Sequence, residues 1–458
     1  GLSMISGDGT ADASMTFRGT IANLNTALSG LTFTPALNYT GPASVTIATN
    51  DLGATGAPGA QSDTDVISIS VTNPAALYVD DSFTSATPGW GYDHFAGFQQ
   101  AIDVSGVEIA TGGPNAVIHV AEGSYPETVS LNQPVTVTLE GDVSLGGSLS
   151  VSDGSWNANS AALSLSGDLS HTGGTIDPGT GSVAFSGAGQ HMLAGVVDFH
   201  DLSVGDAGVL RLADNANLVY DGAMTLNGTA VVNATTHENT TVTLAGSASQ
   251  TLPVGASQLN NLVIRDGATL SSPAILTLTG DLTNNGGFTH NNGSVQFLGS
   301  QPQAVSGASI TSFYDLSVAN PTSTQTGLIQ VANNLSLHSG QFQPLTGSTF
   351  KNVTIADPAE LDAPAVLNVN GNWTNNGTFQ PNLGLVVFNG SVPQTMSGAA
   401  NQTFYDLTSN NSAGLDASGL ASLAMQNFTL QSGIFSAPAA MNIAGDVTSR
   451  GNFVAGDG

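Results

Sequence analysis

The sequence predicts an all-β protein dominated by an elongated β-solenoid. The first observation is a sequence motif, which we call the phrase, that recurs along the chain. It has clear copies at 293–318 and 385–407 and looser copies at 181–204 and 242–262. Repetition of this kind is typical of stacked structural units. The second observation is the composition, with 56 Gly and only 8% charged residues among 458. Such a composition suits short strands joined by tight turns better than long amphipathic helices.

The charge of the chain excludes one class of partner. The formal net charge is −28, with only five Lys and Arg residues. Nucleic-acid binding needs clustered Lys and Arg, so no nucleic acid is expected as a partner. The scattered Asp residues leave two interpretations open. They keep a weakly charged surface soluble and the protein monomeric, or they bind cations, of which Ca²⁺ is the natural candidate.

Two further absences limit the interpretation. There is no cysteine, which excludes disulfides, thiolate metal sites and cysteine catalysis. No run approaches the ~20 apolar residues that span a bilayer, so we expect no membrane-spanning segment in this chain.

Residues 1–73 predict a truncated β-sandwich. Alternating apolar residues at 31–34, 45–49 and 66–71 indicate strands. Apolar residues at helical spacing over 21–28 indicate one or two helical turns. These strands are too few for a complete sandwich, so we expect the domain to be cut at its front.

This first segment resembles a known class of repeat. The stretches 7–17, 28–41 and 50–65 are similar to the tandem cadherin-like or immunoglobulin-like β-sandwich repeats of giant bacterial surface proteins. The resemblance implies a spacer in a fragment of an adhesin-like protein, secreted or associated with the bacterial outer membrane. Some cadherin-like relatives place Ca²⁺ at domain junctions, which makes Asp51, Asp63 and Asp65 candidate Ca²⁺ ligands. The alternative is that these residues only form turns.

Residues 74–141 predict the entry to the solenoid. Asn73 and Pro74 mark the boundary, and Phe95, Phe98 and Ile102 lie on one face of a predicted helix. Together with the Gly-x-Tyr-x-Glu turn at 123–127, this block resembles the entry of right-handed parallel β-helix proteins of the pectate-lyase and pectin-esterase type. The resemblance implies a right-handed parallel β-helix whose open end is covered by an N-terminal capping helix.

Residues 142–458 predict the solenoid repeats. The copies of the phrase are unequally spaced, which indicates several coils of about 20 residues in each module. About 17 coils would form a rod on the order of 80 Å long. The last repeat is unfinished, so we expect the solenoid to continue beyond this sequence. A second phrase interleaves with the first and has copies at 167–169, 280–282, 371–373 and 445–447. In this second phrase Trp373 stands where another copy has Leu282, which indicates a local enlargement of the core.

The aligned residues of the phrase predict its inner and polar positions. Identical apolar residues are expected to face inward and to stack in register. The aligned Gln side chains are expected either to hydrogen-bond turn backbone or to contact a ligand. The apolar positions are Phe185, Phe297, Phe388, Leu202, Leu262, Leu316 and Leu407, and the polar positions are Gln190, Gln250, Gln303 and Gln394.

The sequence favours a function without catalysis. No nucleophile elbow, phosphate-binding loop or zinc-protease motif is present. We therefore expect a rigid stalk that offers weak, multivalent contacts to extracellular glycans or cell surfaces.

The alternative function is a lyase or esterase that acts on acidic polysaccharide, as the resemblance of the entry implies. Its nearest acidic residues are Asp80, Asp81, Glu122 and Glu127. Asp residues clustered beside an Arg on one face would support the enzyme, whereas an even spread of charge would support the stalk.

Overall fold

The computed structural model describes residues 1–36, 39–54, 59–110, 117–235, 239–399 and 401–456, without the side chains of 107–110. The fold is all-β, with 49% of residues in strands and 5% in helices. The chain divides into two compact units: Gly1–Pro74 with Ala110–Pro114, and Ala75–Ile109 with Asn115–Gly458.

The described residues of the first unit form two separate antiparallel strand pairs and one helix. The helix, α1, spans Ile21–Leu28, as the apolar spacing predicts, and the Thr20 hydroxyl accepts a hydrogen bond from the Asn23 backbone N–H at its start. No side chain of the described residues in 1–74 is buried. A β-sandwich with its own core is therefore not seen in this part of the chain. The strand pairs are Ser3–Ser6 with Thr16–Arg18, and Gly41–Asn50 with Ser62–Val71.

The prediction of a strand at 31–34 is wrong. This segment has no strand conformation, and the side chains of Leu31 and Phe33 are exposed. A strand needs a neighbour for its backbone hydrogen bonds, and no described strand pairs with this segment. Pro35, which follows at once, lacks the N–H that a ladder requires. The alternating pattern alone therefore predicted a strand where no ladder forms.

The second unit is a β-solenoid of the right-handed type with about 18 turns, which confirms the prediction of a parallel solenoid. Successive coils pair through parallel strands, as Val117–Val120, Thr136–Leu139 and Ser155–Asn157 do near the entry. In strands such as Val117–Val120 and Thr136–Leu139 alternate side chains are buried, because successive residues of a strand point to opposite faces. The coils therefore share one apolar interior and expose short polar side chains.

The strands of the second unit follow in chain order. Those up to residue 233 are Ala76–Val79, His94–Phe95, Val117–Val120, Gly123–Tyr125, Val129–Leu131, Thr136–Leu139, Val143–Leu145, Leu149–Val151, Ser155–Asn157, Leu163–Leu165, Leu169–His171, Thr175–Asp177, Ser182–Phe185, Gln190–Phe199, Asp201–Val204, Val209–Leu212, Asn217–Tyr220, Met224–Leu226 and Val231–Asn233. Those from residue 241 to 343 are Thr241–Leu244, Ser249–Thr251, Gln258–Leu259, Asn261–Ile264, Thr269–Ser271, Ile275–Leu278, Leu282–Asn284, Gly287–Thr289, Ser294–Phe297, Gln303–Ser306, Thr311–Val318, Ser323–Thr326, Ile329–Leu337 and Gln341–Gln343, with a 3-10 turn at Val254–Ala256. The remainder are Thr349–Ile355, Glu360–Asp362, Val366–Val369, Trp373–Asn375, Thr378–Gln380, Leu385–Phe388, Gln394–Ser397, Gln402–Thr403, Asp406–Asn410, Leu415–Asp416, Leu423–Met425, Asn427–Ser432, Ile434–Ser436, Met441–Ile443, Val447–Ser449 and Asn452–Val454.

A second helix, α2, spans Phe98–Ala110 at the start of this unit. Phe98 stacks on Trp156 with ring centroids 5.4 Å apart and meets the edge of Tyr125 at 5.8 Å. The prediction that Phe95 belongs to this helix is wrong. Phe95 lies in a short strand paired with Val79, although its side chain is buried as expected. Backbone pairing with Val79 holds Phe95 in extended conformation, so the helix begins only at Phe98.

All seven apolar positions of the repeated phrase are buried in one continuous core. Identical residues of successive copies are not direct neighbours, however. Phe297 pairs with Leu278 and Val318, whereas Phe388 pairs with Val369 and Ser409. One copy of the phrase covers more than one coil, so the neighbouring coil presents another part of the phrase. The expected stacking of like aromatic residues is therefore wrong.

Candidate functional site

Gln303 joins two coils through every hydrogen bond that its amide group can make. Its Nε2 donates to the carbonyl oxygens of Leu278 at 3.2 Å and Gly280 at 2.6 Å in the preceding coil. Its Oε1 accepts from the Gly299 backbone N–H at 2.8 Å and from Asn320 Nδ2 at 2.9 Å. A buried amide requires such partners. We call this arrangement the glutamine clamp.

The glutamine clamp recurs at Gln394. Its Nε2 donates to Val369 at 3.0 Å and Gly371 at 2.5 Å, and its Oε1 accepts from Gly390 at 3.0 Å and Asn411 at 2.9 Å. The clamp therefore connects the two phrases. The Gln of the first phrase, Gln303 or Gln394, donates to the carbonyl of the Gly that begins the second phrase, Gly280 or Gly371.

Gln250 forms a third clamp with three of these bonds. Its amide nitrogen donates to Tyr220 and Gly222, and its oxygen accepts from the Gly246 N–H at 3.2 Å. This geometry explains why the phrase has a glycine four residues before the Gln. A Cβ atom at Gly299 would lie 2.7 Å from the Gln303 amide carbon.

The expectation that Gln190 is equivalent to these residues is wrong. Its side chain is exposed, and the neighbouring His191 is buried in its place. Strand register explains the shift, since Leu193 pairs with Leu169 as Val305 pairs with Leu282. The position two residues earlier is then His191, and its Nδ1 lies 2.9 Å from the Gly167 carbonyl oxygen.

Many of the solenoid carboxylates bind backbone of the next coil. Asp168 accepts from the Met192 N–H at 2.7 Å, and Asp281 accepts from the Ala304 N–H at 2.8 Å. In the copy of the second phrase at 371–373, Asn372 takes the place of Asp281, and its side-chain oxygen accepts a hydrogen bond from the Thr395 N–H. An amide oxygen serves this purpose as well as a carboxylate does. These Asp residues therefore support the coil stacking.

The acidic residues at the entry are largely engaged in the same way. Glu127 accepts from the backbone N–H groups of Phe98 at 2.5 Å and Gln99 at 3.1 Å, at the start of α2. A carboxylate at a helix N-terminus is favourable. Asp81 accepts from the Ser124 N–H, and Asp80 from the Ser82 N–H, each through one oxygen. Glu122 instead lines a shallow cavity of about 260 Å³.

Asp63 and Asp65 lie on one face of the strand Ser62–Val71, and Asp51 directly follows the partner strand Gly41–Asn50. Asp63 is opposite Thr49 and Asp65 is opposite Ile47, while Asp51 accepts from the Gly53 and Gln61 N–H groups. Across the described residues, no group of three or more His, Asp and Glu side chains is placed to hold a metal ion. Ca²⁺ binding by these three residues stays a prediction.

One cluster that sequence reasoning missed contains both acidic and basic groups. His200 Nδ1 lies 2.7 Å from Asp221 Oδ1, with Asp198 and Arg265 close by. Strand register brings them together, because Phe199 pairs with Tyr220 and the ladder continues through Leu244 to Ile264. Asp198 and His200 are close in sequence, but Asp221 and Arg265 are not, so only knowledge of the coil register could have revealed the cluster.

The pKa of Asp198 is raised above its ordinary value of 3.8. Partial desolvation of its carboxyl group is the main cause, although the side chain as a whole is exposed; Arg265 acts in the opposite direction, and the negative charge of Asp221 adds to the increase. Perturbed pKa values are common at functional sites, and they also occur in structural networks.

We expect Asp198→Asn to raise the thermal midpoint of unfolding at pH 7. A raised pKa in the folded state means that the charged carboxylate is less favourable there than in the unfolded chain. The unfavourable contribution begins as the pH rises above 3.8 and persists once the folded carboxyl is ionised. At pH 3 the variant and the parent should therefore unfold at similar temperatures. A lower midpoint for the variant at pH 7 would contradict this assignment.

Aromatic rings form an exposed stack near the entry. Tyr78 stacks between His94 and His119, with ring centroids 5.2 Å and 5.4 Å away. Asp93 and Glu140 lie 2.7 Å and 2.6 Å from the Nδ1 atoms of these two histidines. Ring stacking covers both faces of Tyr78, so this ring presents its edge to solvent.

No family model matches the chain, and no curated protein or solved structure matches it either. Across the described residues, no helix is long and apolar enough to cross a membrane. The assignment of function therefore depends on the residues themselves.

Proposed function

We propose that the chain is a non-catalytic stalk of a secreted or cell-surface bacterial protein. In this proposal the first unit belongs to a cadherin-like or immunoglobulin-like spacer of an adhesin-like protein. The solenoid provides reach, and its outer faces make weak, multivalent contacts with glycans or other surfaces.

The observation that carries the proposal is the continuity of the solenoid core. One apolar cluster runs from Leu77 to Ala437, and about 18 turns stack on it. With strands about 4.8 Å apart, the solenoid is about 85 Å long. Because each coil contacts only its neighbours, stiffness depends on the contacts between adjacent coils. The glutamine clamps and the Asp-to-backbone bonds add polar connections between coils to this apolar core.

We also propose that α2 covers the first coil of the solenoid. An exposed solenoid end presents apolar core and unpaired strand edges. Phe98 and Ile102 of α2 are buried, and Glu127 fixes the start of the helix. These contacts support a capping role for α2.

The outer faces offer the kinds of groups that bind glycans weakly. Gln341 Nε2 donates to Glu360 and Asp362, and Gln343 Nε2 also donates to Asp362, on one outer face. Amides, carboxylates and hydroxyls of this kind hydrogen-bond sugar hydroxyls. A flat, repeated arrangement favours many weak contacts over one deep pocket.

A glycan-array screen of the full chain, with and without Ca²⁺, tests the proposal. Release of reducing sugars and of unsaturated products is measured on the same panel. We expect binding without product release, and a requirement for Ca²⁺ would support the predicted Asp51, Asp63 and Asp65 site. Product release from any polysaccharide would contradict the non-catalytic proposal.

The second candidate function is a polysaccharide lyase or esterase. One observation favours it: Asp198, Asp221, His200 and Arg265 come together on the solenoid, and Asp198 has a raised pKa. Carboxylates beside an Arg are the groups that such chemistry requires. Asp198→Asn separates the two functions, since it should abolish any product release by an enzyme while the stalk would bind glycans as before.

A further inference from the structure

An irregular strand marks one place on the solenoid surface. Ile329–Leu337 carries an extra residue relative to both neighbouring strands. On one side, Val331 pairs with Phe350 and Asn334 pairs with Asn352. Ala332 and Asn333 therefore both lie opposite the single residue Lys351. On the other side, the same two residues oppose Tyr314. Bulges bend a strand and change the direction of its side chains, and they are common beside binding sites.

A cavity of about 370 Å³ lies at this bulge. Ser312, Gln330 and Thr349 are in register on three successive strands and form one wall. Lys351 and Asn370 also line the cavity, beside the bulged Ala332. This volume falls within the usual range for small-ligand sites, and the lining is rich in hydroxyl and amide groups.

Two residues that line the cavity carry a polar group without a protein partner. Asn370 Oδ1 is buried and accepts no hydrogen bond. In the described part of the chain, every close ion pair involves a histidine, so the Lys351 ammonium has no carboxylate within 4.0 Å. Asn370 Oδ1 is screened from solvent, whereas the Lys351 side chain is exposed, so the ammonium is the group that a ligand in the cavity would meet.

We propose that this cavity binds a single carboxylated sugar unit within an otherwise neutral glycan. The Lys351 ammonium would pair with the carboxylate, and the Ser312 hydroxyl on the wall would hydrogen-bond a sugar hydroxyl. Gln330 and Thr349 offer further polar contacts along the wall. The net charge of −28 repels long polyanions, which favours isolated acidic units over a polyuronide. This inference rests on the proposed contact with glycans and specifies one site for it.

Two matched probes test the site on the full chain. Methyl β-D-glucuronide and methyl β-D-glucoside differ only in the carboxylate, and their dissociation constants are measured by titration calorimetry or ligand-observed NMR. We expect the glucuronide to bind about tenfold more tightly, as one charge-assisted contact provides. Lys351→Gln should remove this preference. Arg450→Gln removes the same amount of positive charge at a position far from the cavity in sequence, and this variant should retain the preference.

Several results would overturn the inference. These are equal binding of the two probes, binding of neither, an unchanged preference in Lys351→Gln, or the same loss in Arg450→Gln. Equally tight binding of methyl glucoside 6-sulfate would also count against a carboxylate site. Failure of this inference would not by itself contradict the proposed stalk function, because binding of neutral glycans on the array would still support that function.

Discussion

Replacement of Gln394 by methionine is expected to lower the free energy of unfolding by about 2–4 kcal/mol. Methionine has a similar length and volume but cannot make the hydrogen bonds of the clamp. The Gly390 N–H and the Asn411 amide would lose their acceptor, and the Gly371 carbonyl would lose a donor. Each buried polar group without a partner is costly. Urea or thermal unfolding followed by circular dichroism measures the change.

Gln190→Met is the matched control for this variant. Gln190 occupies the aligned place in the repeated phrase, but its side chain is exposed. Surface substitutions of this kind change stability by no more than about 0.5 kcal/mol. Equal destabilisation by the two variants would show that the phrase, and not the clamp, is responsible. Hydrogen exchange should also accelerate in the coils that contain Gly371 and Asn411.

Trp373→Ala is expected to destabilise the solenoid by about 3–5 kcal/mol. The indole is fully buried among Phe379, Phe388 and Phe404, with ring centroids 5.0–6.3 Å away. Its Nε1 also donates to Gln402 Oε1 at 3.1 Å. Removal of the ring leaves a cavity that these aromatic neighbours cannot fill completely. The loss is measured by chemical denaturation.

Two further variants bound this result. Trp373→Leu places the residue of the related copy, Leu282, in the same strand position and should cost less than Trp373→Ala. Leu383→Ala removes a large side chain that is 79% exposed, and its effect should be within about 0.5 kcal/mol. A Trp373→Ala variant as stable as the parent would contradict the described core.

The solenoid was predictable because its repeats are visible in the sequence. Recurrence of Gly, Phe and Gln in one phrase identified stacked units, and the alternation of apolar residues identified the inner faces. The register between coils was not predictable, since one copy of the phrase covers more than one coil. For this reason His191 was missed as the residue that replaces Gln190 in the interior.

The same limit applies to the candidate sites. Asp198, Asp221 and Arg265 become neighbours only through strand register. The cavity at Lys351 depends on a strand bulge, which no residue pattern in the sequence predicted. The strand predicted at 31–34 failed for a related reason. An alternating pattern describes two faces, but a strand also requires a partner for its backbone.

The most direct test of the stalk proposal is product release from the polysaccharide panel. The full chain is incubated with each neutral and acidic polysaccharide, and reducing ends and unsaturated products are measured beside binding. The proposal predicts binding to some members of the panel without release of either product, in the parent and in Asp198→Asn alike. Release of product by the parent that is lost in Asp198→Asn would contradict it and assign the Asp198 cluster to catalysis.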